Sequence, residues 1–167
     1  EDMHRALAWS KAVNVTVGEI VGEGLPPFPY VRESLEKAGA KADLMVCSAT
    51  PTGALREEWE GQDLAKHVFT IAGQEQGKKN EHIALASEGR YEKSHILMVG
   101  DAPGDRKAAE ANGALFYPIN PGHEDASWKR FHEEALDKFF AGEYAGAYES
   151  AVIAEFEKYL PDTPPWK

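Results

Sequence analysis

Apolar residues along the chain form either short continuous runs or helically spaced sets. Four of the runs have the length and composition of a strand that is buried on both faces of a parallel sheet. They cover residues 43–48 (DLMVCS), 65–72 (AKHVFTIA), 96–99 (ILMV) and 114–118 (ALFYP). The segments that follow the first three runs have helical spacing, at 52–60, 80–87 and 103–112. Because strands that alternate with short helices favour βαβ crossovers, the pattern predicts an α/β fold with a doubly wound, Rossmann-like parallel sheet.

The two ends of the chain have a different pattern. Apolar residues at 3–21 are mostly helically spaced, whereas 22–29 (GEGLPPFP) is too rich in glycine and proline for a helix or a strand and predicts a hinge. A short helix is predicted over 30–38. Beyond residue 127, two amphipathic helices carry aromatic residues at a spacing typical of a protein core. We therefore divide the chain into an N-terminal segment, 1–29, and an α/β core with two C-terminal helices, 30–167.

Composition and charge exclude several classes of partner. The net charge of the 167 residues is -10, and no run of Lys or Arg is longer than two residues, so a nucleic-acid backbone is not an expected partner. No apolar stretch approaches the roughly 20 residues of a membrane span. The single cysteine, Cys47, cannot form an internal disulfide and fits a reducing compartment. We expect a cytoplasmic protein that binds neither nucleic acid nor membrane.

The stretch from His95 to Asn112 (HILMVGDAPGDRKAAEAN) places two aspartates after a buried strand. Gly100 permits a sharp exit from the strand, Asp101 follows at its carboxyl end, and Asp105 lies in the opening of the next helix. Two neighbouring carboxylates repel each other unless a cation compensates, and Mg²⁺ with oxygen ligands is the usual one. Alternatively, Asp101 caps the helix and Asp105 complements the positive end of its dipole.

Two other polar features precede this acidic turn. Ser48 and Thr50 follow the first predicted strand, and Lys78 and Lys79 lie in the loop before the helix of 80–87. A strand that ends in Ser, a lysine before a helix and a GDxxxD turn occur here in that order. In this combination, over roughly residues 42–120, the chain resembles the haloacid dehalogenase-like hydrolase superfamily.

The resemblance implies an activity and a set of site residues. Most members transfer phosphoryl groups with the help of Mg²⁺, so we expect a phosphatase that acts on a small phosphorylated metabolite. Ser48, together with Thr50, would bind the phosphate. Asp101 would bind the metal, and Asp105 would bind the metal's shell or orient the lysine. These roles agree with the need for a cation, a hydroxyl donor and an ammonium around a transferring phosphoryl group.

The lysine of the implied site is either Lys78 or Lys79. Both are candidate catalytic residues, because a helix or turn points adjacent side chains in different directions. In the family, a Gly-Lys pair is followed four residues after the lysine by a polar and then an apolar residue. Counting from Gly77 places Lys78 in that register, so we expect Lys78 to act and Lys79 to be solvated.

The chain departs from the family at the first motif, a strand followed by DxDx(T/V), which provides the aspartate nucleophile. No segment matches it, so no nucleophile can be named. The family places that strand at the centre of the sheet, beside the strands equivalent to 43–48 and 95–99. Its absence would leave unpaired backbone groups and a gap. We therefore expect the chain to be inactive alone, as the C-terminal portion of a longer hydrolase that needs its own N-terminal segment. Residues 1–29 would then be the end of a helical cap with its return hinge.

Three other interpretations stay open. The chain could be a divergent, inactive member of the superfamily. It could instead be a response-regulator-like or flavodoxin-like binding module, which shares a parallel sheet with an acidic edge but hydrolyses nothing. A dehalogenase proper is less favoured, because such an enzyme typically does not need Mg²⁺ and the acidic pair is intact. Cys47 lies in an apolar strand, so we interpret it as a packing residue rather than a nucleophile.

Overall fold

The computed structural model of the chain describes residues 2–21, 25–161 and 163. The helices within this part are α1 (Asp2–Val21), α2 (Val31–Gly39), α3 (Thr52–Gly61), α4 (Lys79–Ser87), α5 (Pro103–Asn112), α6 (Glu124–Arg130), α7 (Leu136–Ala141) and α8 (Ala147–Tyr159). The strands are β1 (Met45–Cys47), β2 (Thr70–Ala72), β3 (Leu97–Gly100) and β4 (Leu115–Pro118). Single 3₁₀ turns cover Ala65–His67, Gln74–Gln76 and Lys93–His95, and a π-helical turn, Phe131–Ala135, joins α6 to α7.

The strands form two parallel pairs. In the first pair Met45 lies opposite Thr70, and in the second Leu97 lies opposite Leu115. Each pair is connected through a helix, α3 or α5, as the alternating pattern predicts. The prediction of an α/β protein with parallel strands is therefore confirmed. The described residues form two separate two-stranded sheets rather than a single doubly wound sheet.

One predicted strand is partly wrong. The run 65–72 begins with the 3₁₀ turn Ala65–His67, and only Thr70–Ala72 forms a strand. Local hydrogen bonds close the turn, since the backbone N–H of His67 donates to the carbonyl of Leu64 at 3.0 Å. Phe69, which the apolar run would bury, is 58% exposed. The local turn therefore replaced the first half of the predicted strand.

The C-terminal helices cover the second strand pair on both faces. Tyr117 packs on one face against Phe131, with ring centroids 4.9 Å apart, and Leu136 completes that cluster. Phe116 points to the opposite face and meets the ring of Phe156 edge-on. This alternation is the period-two pattern of a strand buried on both sides. Phe131, Tyr144 and Phe156 of the aromatic stripes are core residues, as expected, whereas Tyr159 is 38% exposed.

The outer edge of β4 is closed by side chains. The backbone N–H of Phe116 donates to a carboxylate oxygen of Glu149 at 2.9 Å, and its carbonyl accepts a hydrogen bond from the hydroxyl of Tyr144 at 2.8 Å. Both residues belong to the segment that leads into and through α8. Because the edge groups of Phe116 are already bonded, another strand cannot pair there.

The N-terminal segment contains the predicted helix. The side chains that are described in α1 are exposed, among them Trp9 at 71%. The start of the predicted hinge, residues 22–24, and most of the C-terminal tail lie outside the described residues, and 25–28 are irregular. The role of 1–29 as part of a cap stays a prediction. In the described part of the chain, no helix has both the length and the apolar character needed to cross a membrane.

Candidate functional site

A cleft of about 660 Å³ lies where β1 ends and where α4 and α5 begin. Its lining includes Ser48, Gln74, Lys78, Lys79, Asn80 and Lys107. The first turn of α4 is tied to the last residue of α5, because the side-chain amide of Asn112 donates to the carbonyl of Asn80 at 3.0 Å. Three lysines and no acidic side chain line the cleft. The charged side chains that line the cleft are therefore all positive, and one of them, Lys79, is paired with the buried Asp105.

Asp105 is packed against the end of β3 because residue 100 is a glycine. A Cβ atom at Gly100 would lie 2.5 Å from the Cγ and Oδ2 atoms of Asp105. The side chain of Asp105 is 2% exposed, and its Oδ2 accepts the backbone N–H of Ala102 at 3.2 Å. Pro103 takes the first position of α5, where a missing N–H has no cost. Asp105 thus holds the first turn of the helix, and Ala102, not Asp101, is the N-cap residue.

Lys79 forms an ion pair with this buried carboxylate. Its Nζ contacts Asp105 Oδ1, and its own side chain is 28% exposed, so the ammonium lies at the floor of the cleft. Lys78 precedes the helix in extended conformation and is exposed, while its backbone N–H donates to Glu81 at 2.8 Å. The prediction that Lys78 places its ammonium beside Asp105 is wrong. The helix begins one residue later than Lys78, and this turns the side chain of Lys79 toward α5.

Ser48 follows β1 and is half-buried at the cleft wall. Its backbone N–H donates to the carbonyl of Ala72, and its hydroxyl oxygen accepts the N–H of Thr50 at 3.1 Å. The hydroxyl hydrogen of Ser48 can therefore still donate to a ligand. Thr50 is exposed and does not line the cleft, and its carbonyl accepts the N–H of Gln74. Its expected contact with substrate stays a prediction.

The predicted Mg²⁺ ligands differ in their surroundings. Asp101 is exposed and lines a second cavity rather than the cleft. Both oxygens of Asp105 are already bonded, so coordination by Asp105 would require the ion pair with Lys79 to open. Within the described residues, no three His, Cys, Asp or Glu side chains are placed to hold a metal. Proteins commonly hold Mg²⁺ by one or two carboxylates together with phosphate oxygens. The exposed carboxylate of Asp101 is suited to that role, whereas the bonded carboxylate of Asp105 is suited to orienting Lys79.

Cys47 lies directly before Ser48. Burial raises the pKa of its thiol, the charge of Lys79 lowers the pKa by less, and the charge of Asp105 raises it further. The thiol is therefore protonated at neutral pH, and a protonated thiol is a poor nucleophile. Its sulfur lies 3.8 Å from the sulfur of Met98, so the side chain contacts the opposite strand pair.

Sequence reasoning did not single out three polar residues of the cleft, Gln74, Asn80 and Lys107. Lys107 lies on α5 two residues after Asp105, and Asn80 lies in the first turn of α4. The only signal in the sequence was the Arg106-Lys107 pair, which is also typical of an exposed helix face. Packing of α4 against α5 brings Asn80 and Lys107 to the cleft.

Comparison with known proteins gives no match, because no family model, no curated protein and no solved structure is similar to this chain.

Replacement of Gly100 tests the close packing of Asp105. We expect Gly100→Ala to lower the free energy of unfolding by about 1–3 kcal/mol, because the new methyl group overlaps the carboxylate. Gly104→Ala is the matched control, since a Cβ atom there meets open space. It should be neutral or stabilising by up to about 1 kcal/mol. Urea denaturation of both variants measures the difference, and equal stabilities would contradict the packing.

Proposed function

We propose that the cleft binds the phosphate group of a small phosphorylated metabolite, and that the protein is a haloacid dehalogenase-like, Mg²⁺-dependent phosphatase once a nucleophile is supplied. The observation that carries the proposal is the convergence of three lysines and Ser48 in one cleft. The two parallel strand pairs would then be halves of one Rossmann-like sheet. The motif order of Ser48, the lysine pair and the acidic turn supports the same interpretation.

Each residue of the cleft has a distinct task in this proposal. Lys79, held by Asp105, presents a fixed ammonium to the phosphate oxygens. The hydroxyl of Ser48 donates a hydrogen bond to one of these oxygens. Lys78 and Lys107 are exposed and add a general positive potential that attracts the anion. The residues bind and orient the phosphoryl group without themselves attacking phosphorus.

Asp101 is the residue that would hold Mg²⁺. When bound, the ion would neutralise the negative charge that develops on the phosphoryl oxygens. Asp101 is exposed, so metal binding there does not require an existing ion pair to break. Asp105 keeps Lys79 in place and does not need to leave the lysine for the metal to bind.

A phosphate titration tests the binding half of the proposal. We expect inorganic phosphate to shift the backbone amide resonances of Ser48, Lys79 and Asn80, which surround the cleft. Lys107→Ala should weaken the affinity about two- to fivefold, because it removes an exposed charge. Lys66→Ala is the matched control. It removes the same charge from the turn before β2, at the opposite end of that strand, where Lys66 pairs with Asp63.

If Lys107→Ala and Lys66→Ala weaken the affinity for phosphate equally, the result would contradict a phosphate site. The affinity would then depend only on the net charge of the chain. Amide shifts confined to residues away from the cleft would contradict it as well.

The second candidate function is a non-catalytic module that binds a phosphate-bearing ligand. The observation in its favour is that no acidic side chain lines the cleft, so the described residues place no carboxylate nucleophile beside the lysines. Both functions predict phosphate binding. Only the phosphatase predicts turnover when a nucleophile is added.

A further inference from the structure

The cleft is larger than the phosphate group that the proposed function places in it. Its volume of about 660 Å³ lies in the range of about 300–1,000 Å³ that is typical of sites for small organic ligands. Along α5 the cleft is lined by residues of one helix face, Gly104, Lys107, Ala108 and Ala111. These residues span two turns, which is roughly 10 Å along the helix. The cleft therefore has room for a group beyond the phosphate.

The three lysines of the cleft differ in how their charge is compensated. The ammonium of Lys79 contacts the buried carboxylate of Asp105. Lys78 and Lys107, by contrast, form no ion pair with any of the residues that the structure describes. Within that part of the chain, two of the three ammonium groups are therefore left without a counter-ion.

The neighbours of Lys107 on α5 do not supply a counter-ion. Glu110 lies three residues further along the helix, at a spacing that favours an ion pair with Lys107. Its carboxylate instead accepts a hydrogen bond from Nε of Arg106 at 2.7 Å, and Arg106 also contacts Glu157. The other positions three or four residues from Lys107 hold uncharged residues, at 103, 104 and 111. The ammonium of Lys107 is therefore available to a ligand.

Lys78 lines the cleft from the side of α4. It is the N-cap residue of that helix, and its backbone N–H donates to the carboxylate of Glu81 at 2.8 Å. Glu81 therefore bonds the backbone of Lys78 rather than its ammonium. Because Lys78 precedes α4 and Lys107 lies on α5, the two uncompensated lysines belong to two different walls of one cleft.

The uncharged lining limits the chemistry of the ligand. Gln74 and Asn80 supply carboxamides, which can bond hydroxyl or carbonyl oxygens. Among the described residues, no aromatic side chain lines the cleft, so a nucleobase would have no ring to stack on. No acidic side chain in this part of the chain lines it either, so a cationic group would have no partner there. The lining favours a small, non-aromatic ligand with anionic and polar groups.

We propose that the ligand of the cleft carries two anionic groups. The phosphoryl group binds Lys79 and Ser48, and the second group, a carboxylate or another phosphate, binds Lys78 and Lys107. An ammonium that donates to an anion forms a charge-assisted hydrogen bond, which is stronger than a neutral one. The ligand class is therefore phosphorylated acids or bisphosphates rather than simple phosphate monoesters. This inference rests on the proposed function, because it takes phosphate binding at Lys79 as given.

A matched series of phosphonates, which cannot be hydrolysed, tests for the second anionic group. Propylphosphonate carries one anionic group, 3-phosphonopropionate has a carboxylate in place of its terminal methyl group, and ethane-1,2-diphosphonate has a second phosphonate. The corresponding compounds with a four-carbon spacer cover the length of the cleft. Dissociation constants are measured from the amide resonances of Lys79 and Asn80. We expect ligands with two anionic groups to bind the 167-residue chain at least about tenfold more tightly than their one-group counterparts.

The variant Lys107→Ala locates the second group. It should lower the preference, which is the ratio of the dissociation constants of the one-group and two-group ligands, at least about fivefold. The ratio cancels any general loss of positive charge, because that loss weakens the phosphonate contact of both ligands. Lys66→Ala is the matched control, since Lys66 pairs with Asp63 and does not line the cleft. It should leave the preference unchanged.

Three results would overturn the second anionic group. One is equal affinity for one-group and two-group ligands at both spacer lengths, with phosphate still bound, which would leave the proposed function in place. The others are a preference that persists in Lys107→Ala and a preference that Lys66→Ala lowers equally. Tighter binding of only the carboxylates, or only the diphosphonates, supports the proposal and identifies the second group. If neither inorganic phosphate nor any phosphonate shifts the amides of the cleft, the proposed function itself fails, and this inference fails with it.

Discussion

The 167-residue chain is expected to show no turnover of a phosphate monoester, whereas the same chain supplied with a segment that carries the aspartate motif hydrolyses it in the presence of Mg²⁺. The reason is that no acidic side chain lines the cleft, so the covalent route has no nucleophile. The proposed function requires the aspartate to lie near Lys79, where an ammonium can stabilise the reacting anions. The expected gain is many orders of magnitude, since enzymes accelerate such reactions by at least about 10⁶-fold. Release of nitrophenol from p-nitrophenyl phosphate measures it.

The control for this experiment is the same segment with asparagine in place of the aspartate. It should bind the chain equally well and give no turnover. If the 167-residue chain, with its mass verified and no segment added, shows robust Mg²⁺-dependent activity, the nucleophile lies within these residues. Binding of the aspartate segment without turnover would favour the non-catalytic module.

Lys79→Ala is expected to have the second largest effect, on both rate and stability. In the complemented enzyme the rate should fall about 10²–10³-fold, the usual cost of losing one group that stabilises the transition state. The free energy of unfolding should fall by about 3 kcal/mol, because Asp105 is left as a buried carboxylate without its ion-pair partner. This value is at the lower end of the range for buried pairs, since Lys79 itself is 28% exposed. Enzyme assays and urea denaturation measure the two effects.

Lys78→Ala is the matched control, because it removes the same charge from an exposed neighbour. It should leave the stability close to that of the parent chain and lower the rate by no more than about two- to fivefold, the effect expected of one exposed charge in the cleft. The double variant Lys79→Ala, Asp105→Asn separates the two roles of Lys79. Removal of both charges should recover much of the stability but none of the rate. A large loss of rate for Lys78→Ala, with Lys79→Ala near the parent, would assign the catalytic role to Lys78 instead.

Local patterns in the sequence determined most of the secondary structure. The runs at 43–48, 96–99 and 114–118 contain strands, and the helical segments between them form helices, because periodicity reports which face of an element is buried. The class, α/β with parallel strands, follows from the alternation of the two patterns. The same reasoning was wrong for the first half of the run 65–72, because 3₁₀ hydrogen bonds form there in place of a strand.

The residue types of the cleft were also visible in the sequence. Ser48, the lysine pair and the two aspartates stand at the ends of predicted elements, and parallel strands bring such ends to one edge. The structure joins Ser48, Lys78 and Lys79 in one cleft and places Asp105 beneath Lys79. Sequence spacing could not separate the two lysines, because a shift of one residue in the start of α4 exchanges their directions.

Tertiary packing alone decided three features. Asp105 is buried and bonded through both oxygens only because Gly100 lets it approach the end of β3, a contact between side chain and backbone that no periodicity reports. Lys107 and Asn80 reach the cleft only because α4 packs against α5. The strands remain in two pairs, and all residues of β1 and β3 are half-buried. A sequence pattern records which residues favour burial, but only the arrangement of the elements shows how far each residue is covered.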